Sequence, residues 1–158
     1  MDSASCRARQ ETALWGVINE NCNERLSVMD SELTPRYYFV FCKGELLLER
    51  KEDGTYTIPL VTEPPIMTKP WTSILDVTPL DGVEVKAYSI DSPVLDPRYE
   101  SVPLRQSYYK LPEPLYLKAG KCEELLYWDR NTKFCGVCGG QMHFHTSISK
   151  RCEMCGKE

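Results

Sequence analysis

Cysteine is the residue in this chain whose type and spacing imply chemistry. Eight cysteines occur in 158 residues, and four fall in two Cys-x-x-Cys pairs, Cys135–Cys138 and Cys152–Cys155, separated by thirteen residues. Two residues between thiols let one tight turn aim both sulfurs at a single ion. Zinc takes four such ligands in a tetrahedron, at about 2.3 Å from each sulfur. Both pairs are followed by glycine, Gly139 and Gly156, which lets the backbone fold back behind the second sulfur. The intervening stretch has the length of a short hairpin, with Met142, Phe144 and Ile148 as its apolar contacts. The spacing therefore predicts a structural zinc site in a zinc ribbon.

Competing chemistries fit less well. A redox Cys-x-x-Cys normally occurs once, at a helix start after a strand. A catalytic zinc keeps one position open for water, whereas four thiolates close the shell. His143 and His145 are the two histidines of the chain. At i and i+2 they share a strand face and are candidates to replace a cysteine, but four thiolates already satisfy the ion, so ordinary hairpin side chains are expected. Cys6, Cys22, Cys42 and Cys122 are scattered and read as small buried apolar side chains.

No catalytic residue is identified. With both histidines in the hairpin, no serine–histidine or cysteine–histidine arrangement is suggested elsewhere. The glycines are isolated or belong to turns, so no phosphate loop is read. Glu49, Glu52 and Asp53 read as a solvated hairpin end, and Glu123-Glu124 as a helix surface.

The surrounding composition is that of a folded globular chain, 42% apolar and 27% charged, a balance that excludes a disordered class. A net charge of −4 argues against electrostatic capture of nucleic-acid phosphates. The arginines and lysines of residues 129–158, Arg130, Lys133, Lys150, Arg151 and Lys157, are balanced by acids and the thiolate site rather than forming a basic stripe. No apolar run approaches the roughly 18 residues of a membrane span. The polar first ten residues lack the apolar centre of a signal peptide, so a cytosolic location is expected.

The elements that position the cysteines are legible in outline. Tyr37-Tyr38-Phe39-Val40-Phe41-Cys42 is apolar on both faces, as a buried strand should be. Lys43-Gly44 is a turn signal, Glu45-Leu46-Leu47-Leu48-Glu49 a second strand, and Asp53-Gly54 a tight hairpin turn because both positions tolerate positive φ, with Thr55-Tyr56-Thr57-Ile58 returning as a third strand. Prolines at 59, 64, 65 and 70 mark residues 59–72 as a loop. Further strands are expected at 73–77 and 83–90, separated by Pro79 and Asp81-Gly82, then a second irregular stretch through Pro93, Pro97 and Pro103. After Pro114, Leu115, Ala119, Cys122, Leu126 and Arg130 follow helical spacing, with Leu125 widening the apolar face. Trp128 near the helix end is expected to pack it against the sheet. Leu14, Ile18, Cys22 and Leu26 suggest a short amphipathic helix in the first thirty residues. The fold class is α+β: a mostly antiparallel sheet with a few helices, followed by a small zinc ribbon. The domains read as an extension at 1–30, an α+β domain at 31–132 and the ribbon at 133–158.

The stretch Leu125-Leu126-Tyr127-Trp128-Asp129-Arg130-Asn131-Thr132-Lys133-Phe134-Cys135-Gly136-Val137-Cys138-Gly139 resembles the junction in NADH pyrophosphatases of the Nudix superfamily. There a helix ending in Trp-x-Arg leads into Phe-Cys-Gly-x-Cys-Gly. Arg151-Cys152-Glu153-Met154-Cys155 fits the second knuckle, and residues 36–112, with the segment Leu104-Arg105, resemble the N-terminal domain of that family. Residues 1–30 are not covered. The resemblance implies a variable N-terminal domain and a zinc ribbon that precede a Nudix catalytic domain. The whole enzyme splits NADH or NAD into nicotinamide mononucleotide and AMP, and bacterial members remove NAD caps from RNA. It implies a homodimer using Mg²⁺ or Mn²⁺, held by the carboxylates of the Nudix signature. That signature is absent from these residues, so the chain is expected to be the non-catalytic front portion, and its end three residues after Cys155 reads as a cut. Some members carry an acid in the ribbon hairpin near the substrate; residues 139–151 contain none. The alternative is a free-standing zinc-ribbon adaptor that binds protein or nucleic acid.

Overall fold

The computed structural model describes residues 34–158, of which Pro35–Glu158 pack as one compact unit. The helix expected around Leu14–Leu26, with Cys6 and Cys22, lies outside the described residues. Strand β1 (Arg36–Cys42) turns at Lys43-Gly44 into β2 (Glu45–Arg50), and both turn residues take positive φ, 50° and 84°. Strands β3 (Tyr56–Thr57) and β4 (Leu60–Val61) follow, then β5 (Leu75–Leu80), β6 (Val83–Ile90) and β7 (Tyr99–Pro103). Helices α1 (Leu104–Ser107) and α2 (Glu113–Asn131) lead to a separate hairpin of β8 (Met142–Thr146) and β9 (Ser149–Cys152). The fold is α+β. A seven-stranded sheet runs β3-β2-β1-β6-β5, with β4 on β1 and β7 on β2. Its strand pairs are antiparallel except for β1 and β6, which are parallel from Tyr37↔Val85 to Cys42↔Ile90.

Alternation along the strands explains why the sheet is buried on both faces. Phe39, Phe41, Leu46, Leu48, Val85 and Ala87 point to one face, where α2 covers them with Leu115, Ala119, Cys122, Leu125 and Leu126. Tyr38, Val40, Leu47 and Tyr88 point to the other, as the two-residue period of a strand requires. Among the described residues no helix packs on that second face. Ile66 and Val94, from the proline-rich stretches, close over it together with Tyr99. The Tyr88 hydroxyl accepts the Ile66 N–H at 3.2 Å and donates to the Ile66 carbonyl at 2.9 Å.

Four local expectations are corrected. Residues 59–72 are not wholly loop. Strands β1 and β2 pair at Cys42↔Glu45 and Phe41↔Leu46 and splay apart beyond them, and the segment Tyr56–Val61 fills the wedge, β3 pairing with β2 and β4 with β1. Pro79 does not end a strand but sits inside β5, which is tolerated because β5 is an edge strand and its register shifts between Val77 and Leu80. The irregular stretch before Leu104 contains β7, whose partner is the free edge of β2; pairing with a distant strand leaves little local signal. At Asp53-Gly54 the glycine alone takes positive φ, 83°. The Asp53 carboxylate instead accepts the Thr55 N–H at 2.9 Å and hydroxyl at 2.6 Å, closing the turn from outside.

One polar cluster ties β2, β3 and β7 to the turn after α1. The Glu100 carboxylate accepts the Tyr56 hydroxyl at 2.5 Å, the Lys110 ammonium at 3.0 Å and the Arg50 guanidinium at 3.3 Å. These donors, the Tyr56 hydroxyl first, hold the Glu100 carboxyl down to about 2. A carboxyl lowered from its ordinary value near 4.5 stabilises the fold above that pH, and the stabilisation is lost as pH falls from there toward about 2. The group is partly solvated, so the contribution at neutral pH is about 1 kcal/mol or less. Glu100→Gln should flatten this part of the acid-unfolding curve, read as urea midpoint against pH. An unchanged slope between pH 4.5 and 2 would show that the cluster does not contribute.

Candidate metal centre

The four predicted cysteines converge. One sulfur from each of Cys135, Cys138, Cys152 and Cys155 lies within 4.8 Å of the others, with Cys135–Cys155 at 3.7 Å and Cys138–Cys152 at 3.4 Å. Four ligands at about 2.3 Å from a central ion would stand about 3.8 Å apart along the edges of the tetrahedron. The donor set therefore fits a tetrahedral metal ion such as zinc.

Two copies of one backbone turn present the sulfurs. In the first, the Gly139 N–H bonds to the Cys135 carbonyl at 2.9 Å and the Cys135 N–H to the Gly140 carbonyl at 2.7 Å. In the second, Gly156 N–H bonds to the Cys152 carbonyl at 3.1 Å and Cys152 N–H to the Lys157 carbonyl at 2.8 Å. Gly139 and Gly156 reverse the chain at φ 76° and 72°, a conformation that disfavours any side chain. Backbone N–H groups also point at sulfur, from Val137 to Cys135 and from Gly140 to Cys138, each at 3.4 Å.

This arrangement divides the thiols. The N–H groups of Cys138 and Val137 hold Cys135 down to about 7, and those of Cys155 and Met154 lower Cys152. The Gly140 N–H acts on Cys138 in the same direction, but the neighbouring Cys152 and Cys155 push it up to about 12. Like charges at this separation oppose each other's ionisation, and a cation among them removes that opposition. Cys122, by contrast, is pushed up to about 12 by burial between α2 and the sheet, and Cys42 is buried in β1; both behave as apolar side chains.

The histidines lie elsewhere. His143 Nε2 meets Glu153 at 3.0 Å, and His145 Nε2 accepts from Arg151 at 3.0 Å; neither belongs to the four-donor group. Of the expected apolar contacts, Phe144 stacks edge-on against Trp128 with centroids 5.8 Å apart, and Met142 is half-buried. Ile148 is 65% exposed because it sits at the hairpin turn.

Two residues that fix the site were not singled out from sequence. At Gly140, an added Cβ would meet Met154 Cγ at 2.7 Å and Cys152 Sγ at 3.0 Å, so the two knuckles approach too closely there for a side chain; the doubled glycine was the available signal. Lys150 reads as one more surface charge, yet it is 6% exposed. Its ammonium donates to the carbonyls of Asp129 and Thr132, each at 3.0 Å, and pairs with the Asp129 carboxylate at 2.6 Å. The rings of Trp128 and Phe144 lie 5.1 and 4.9 Å from it. A cation at the last carbonyls of a helix complements both their lone pairs and the helix dipole. Trp128 thus packs on the sheet core, as expected, and also on the hairpin.

A family model described as NUDIX-like, the NADH pyrophosphatase-like rudimentary NUDIX domain, matches residues 35–128, which is more than half of the chain and stops short of the four clustered cysteines. None of the curated proteins compared with the chain is significantly similar to it.

Two variants separate the centre from its anchor. Cys138→Ser should open residues 133–158 to hydrogen exchange while the β1–β2 pair stays protected, because a structural metal contributes on the order of 10 kcal/mol to a small module; unchanged exchange in the hairpin would contradict this. Lys150→Met keeps the bulk but leaves the Asp129 carboxylate unpaired, and should cost about 2–4 kcal/mol in urea unfolding. A loss under about 0.5 kcal/mol, the level of an ordinary surface substitution, would refute the anchoring role.

Proposed function

Because the chain belongs to the family of NADH pyrophosphatase-like rudimentary Nudix domains, we propose that it is the non-catalytic front portion of a NADH pyrophosphatase. In this reading residues 31–132 are the N-terminal domain, residues 133–158 are a zinc ribbon with Cys135, Cys138, Cys152 and Cys155 as zinc ligands, and residues 1–30 are an extension. The complete enzyme would hydrolyse the pyrophosphate of NADH or NAD, or of NAD-capped RNA, to nicotinamide mononucleotide and AMP. The carboxylates that hold Mg²⁺ or Mn²⁺ against those phosphates would come from a Nudix domain, and the assembly would be a cytoplasmic homodimer. Among the described residues no helix is long and apolar enough to cross a membrane.

The observation that carries this reading is the joining of the family's sheet-and-helix domain to a four-thiol cluster through one helix end, at Trp128, Asp129 and Lys150. A closed shell of four sulfurs offers no site for a substrate oxygen. Its contribution is rigidity, bracing a neighbouring domain rather than performing the hydrolysis. The adaptor reading shares the closed shell and differs in partner.

Purified with Mg²⁺, the chain alone should leave NADH intact. Mixed with the isolated Nudix domain of a NADH pyrophosphatase, it should co-elute and yield nicotinamide mononucleotide and AMP. Turnover by the chain alone would overturn the division of labour; failure to associate, together with salt-sensitive RNA binding by the chain, would favour the adaptor.

A further inference from the structure

We infer that the cleft between residues 66–73, the end of β6 and the end of α2 is a binding site for a nucleoside monophosphate, distinct from the metal centre. The cleft holds about 490 Å³ and is lined by Trp71, Ser89, Asp91, Arg130 and Lys133 among others. Small-molecule sites fall in the range of about 300–1,000 Å³ and combine apolar walls with a few placed polar groups.

The aromatic wall is built in advance of any ligand. Trp71 is 72% exposed, which leaves most of a large apolar ring in water. Its loop is nonetheless fixed. The Thr72 N–H bonds to the Lys69 carbonyl at 2.9 Å, and the Lys69 N–H to the Thr72 hydroxyl at 3.1 Å. The Lys69 ammonium lies 5.3 Å from the indole centre and is itself held by Asp91 at 3.0 Å. At the start of the loop both backbone groups of Ile66 are clamped by the Tyr88 hydroxyl. The indole is thus presented by an ordered turn beside a cation.

The same cleft also carries charge for an anion. Asp91 is matched by Lys69, and Asp129 by the buried Lys150. Arg130 spans from the Ser89 hydroxyl at 3.4 Å to Glu123 at 3.5 Å, a loose pairing. Lys133 has no acidic partner among the described residues. The cleft and its immediate neighbours therefore hold one cation in excess, Lys133, beside an arginine held only by contacts of 3.4 and 3.5 Å. An exposed indole suits a planar base, which stacks on it whatever its sequence, and Arg130 with Lys133 suits a phosphate oxygen. A ligand that offers both at once is a nucleoside monophosphate. This site does not depend on the hydrolase reading, since it uses neither the sulfurs nor a Nudix domain.

The test is calorimetric titration of the metal-loaded full chain with AMP, with adenosine and inorganic phosphate run separately. AMP should bind saturably at one per chain, and each half-ligand at least about tenfold more weakly. Trp71→Ala and Lys133→Glu, both at exposed side chains, should each weaken AMP at least about tenfold with unchanged circular dichroism and thermal midpoint. On the unsubstituted chain, AMP-induced amide shifts should fall in residues 66–73, 89–94 and 126–133, which decides the matter even if a variant fails to fold. No saturable binding, shifts outside these segments, unchanged affinity in both folded variants, or phosphate binding as tightly as AMP, an adventitious anion only, would each overturn the inference.

Discussion

Residues 133–158 contain two short strands and no buried core of their own, so their shape depends on what holds four sulfurs together. Pieces of chain this small rarely fold on apolar burial alone and take a metal or disulfides instead. The thiols of Cys135, Cys138, Cys152 and Cys155 crowd within 4.8 Å, where their ionised forms repel. The backbone N–H groups directed at them favour thiolates, which sharpens the need for a cation at the centre. The glycines at 139, 140 and 156 complete the constraint: two reverse the chain and one leaves room for the other knuckle.

From that constraint the packing propagates along β9. Lys150 and Cys152 share a face of the strand, and both are buried. Whatever fixes Cys152 therefore also carries the Lys150 ammonium to the end of α2, where two carbonyls, a carboxylate and two rings receive it. Helix α2 in turn covers one face of the sheet with five buried side chains. The cysteine cluster, the hairpin, the helix and the sheet form a chain of contacts in which each member sets the position of the next.

The sequence was most legible where a period or a spacing is local. The Cys-x-x-Cys pairs, the glycines behind them, the helical row from Leu115 to Leu126 and the alternation of β1 each depend on residues within a few positions. It was least legible where a partner is distant. Tyr99–Pro103 becomes a strand because the free edge of β2 accepts it, and Leu60–Val61 because β1 and β2 splay. Pro79 looked like a boundary, but its missing N–H matters little on an edge strand. Lys150 was hidden for the same reason: no local pattern distinguishes a lysine that reaches a helix end eighteen to twenty-one residues earlier from one that faces water. Ile148 erred in the opposite direction, being apolar yet placed at a turn.

The most direct test of the metal centre is native mass spectrometry of the tag-free chain, purified under reducing conditions in zinc-supplemented medium, followed by Co²⁺ exchange and absorption spectroscopy. One zinc per chain, replaced by Co²⁺ with the intense visible bands of a tetrahedral four-thiolate site, is the expected result. A chain that is folded throughout residues 133–158 and carries no tightly held metal would contradict it.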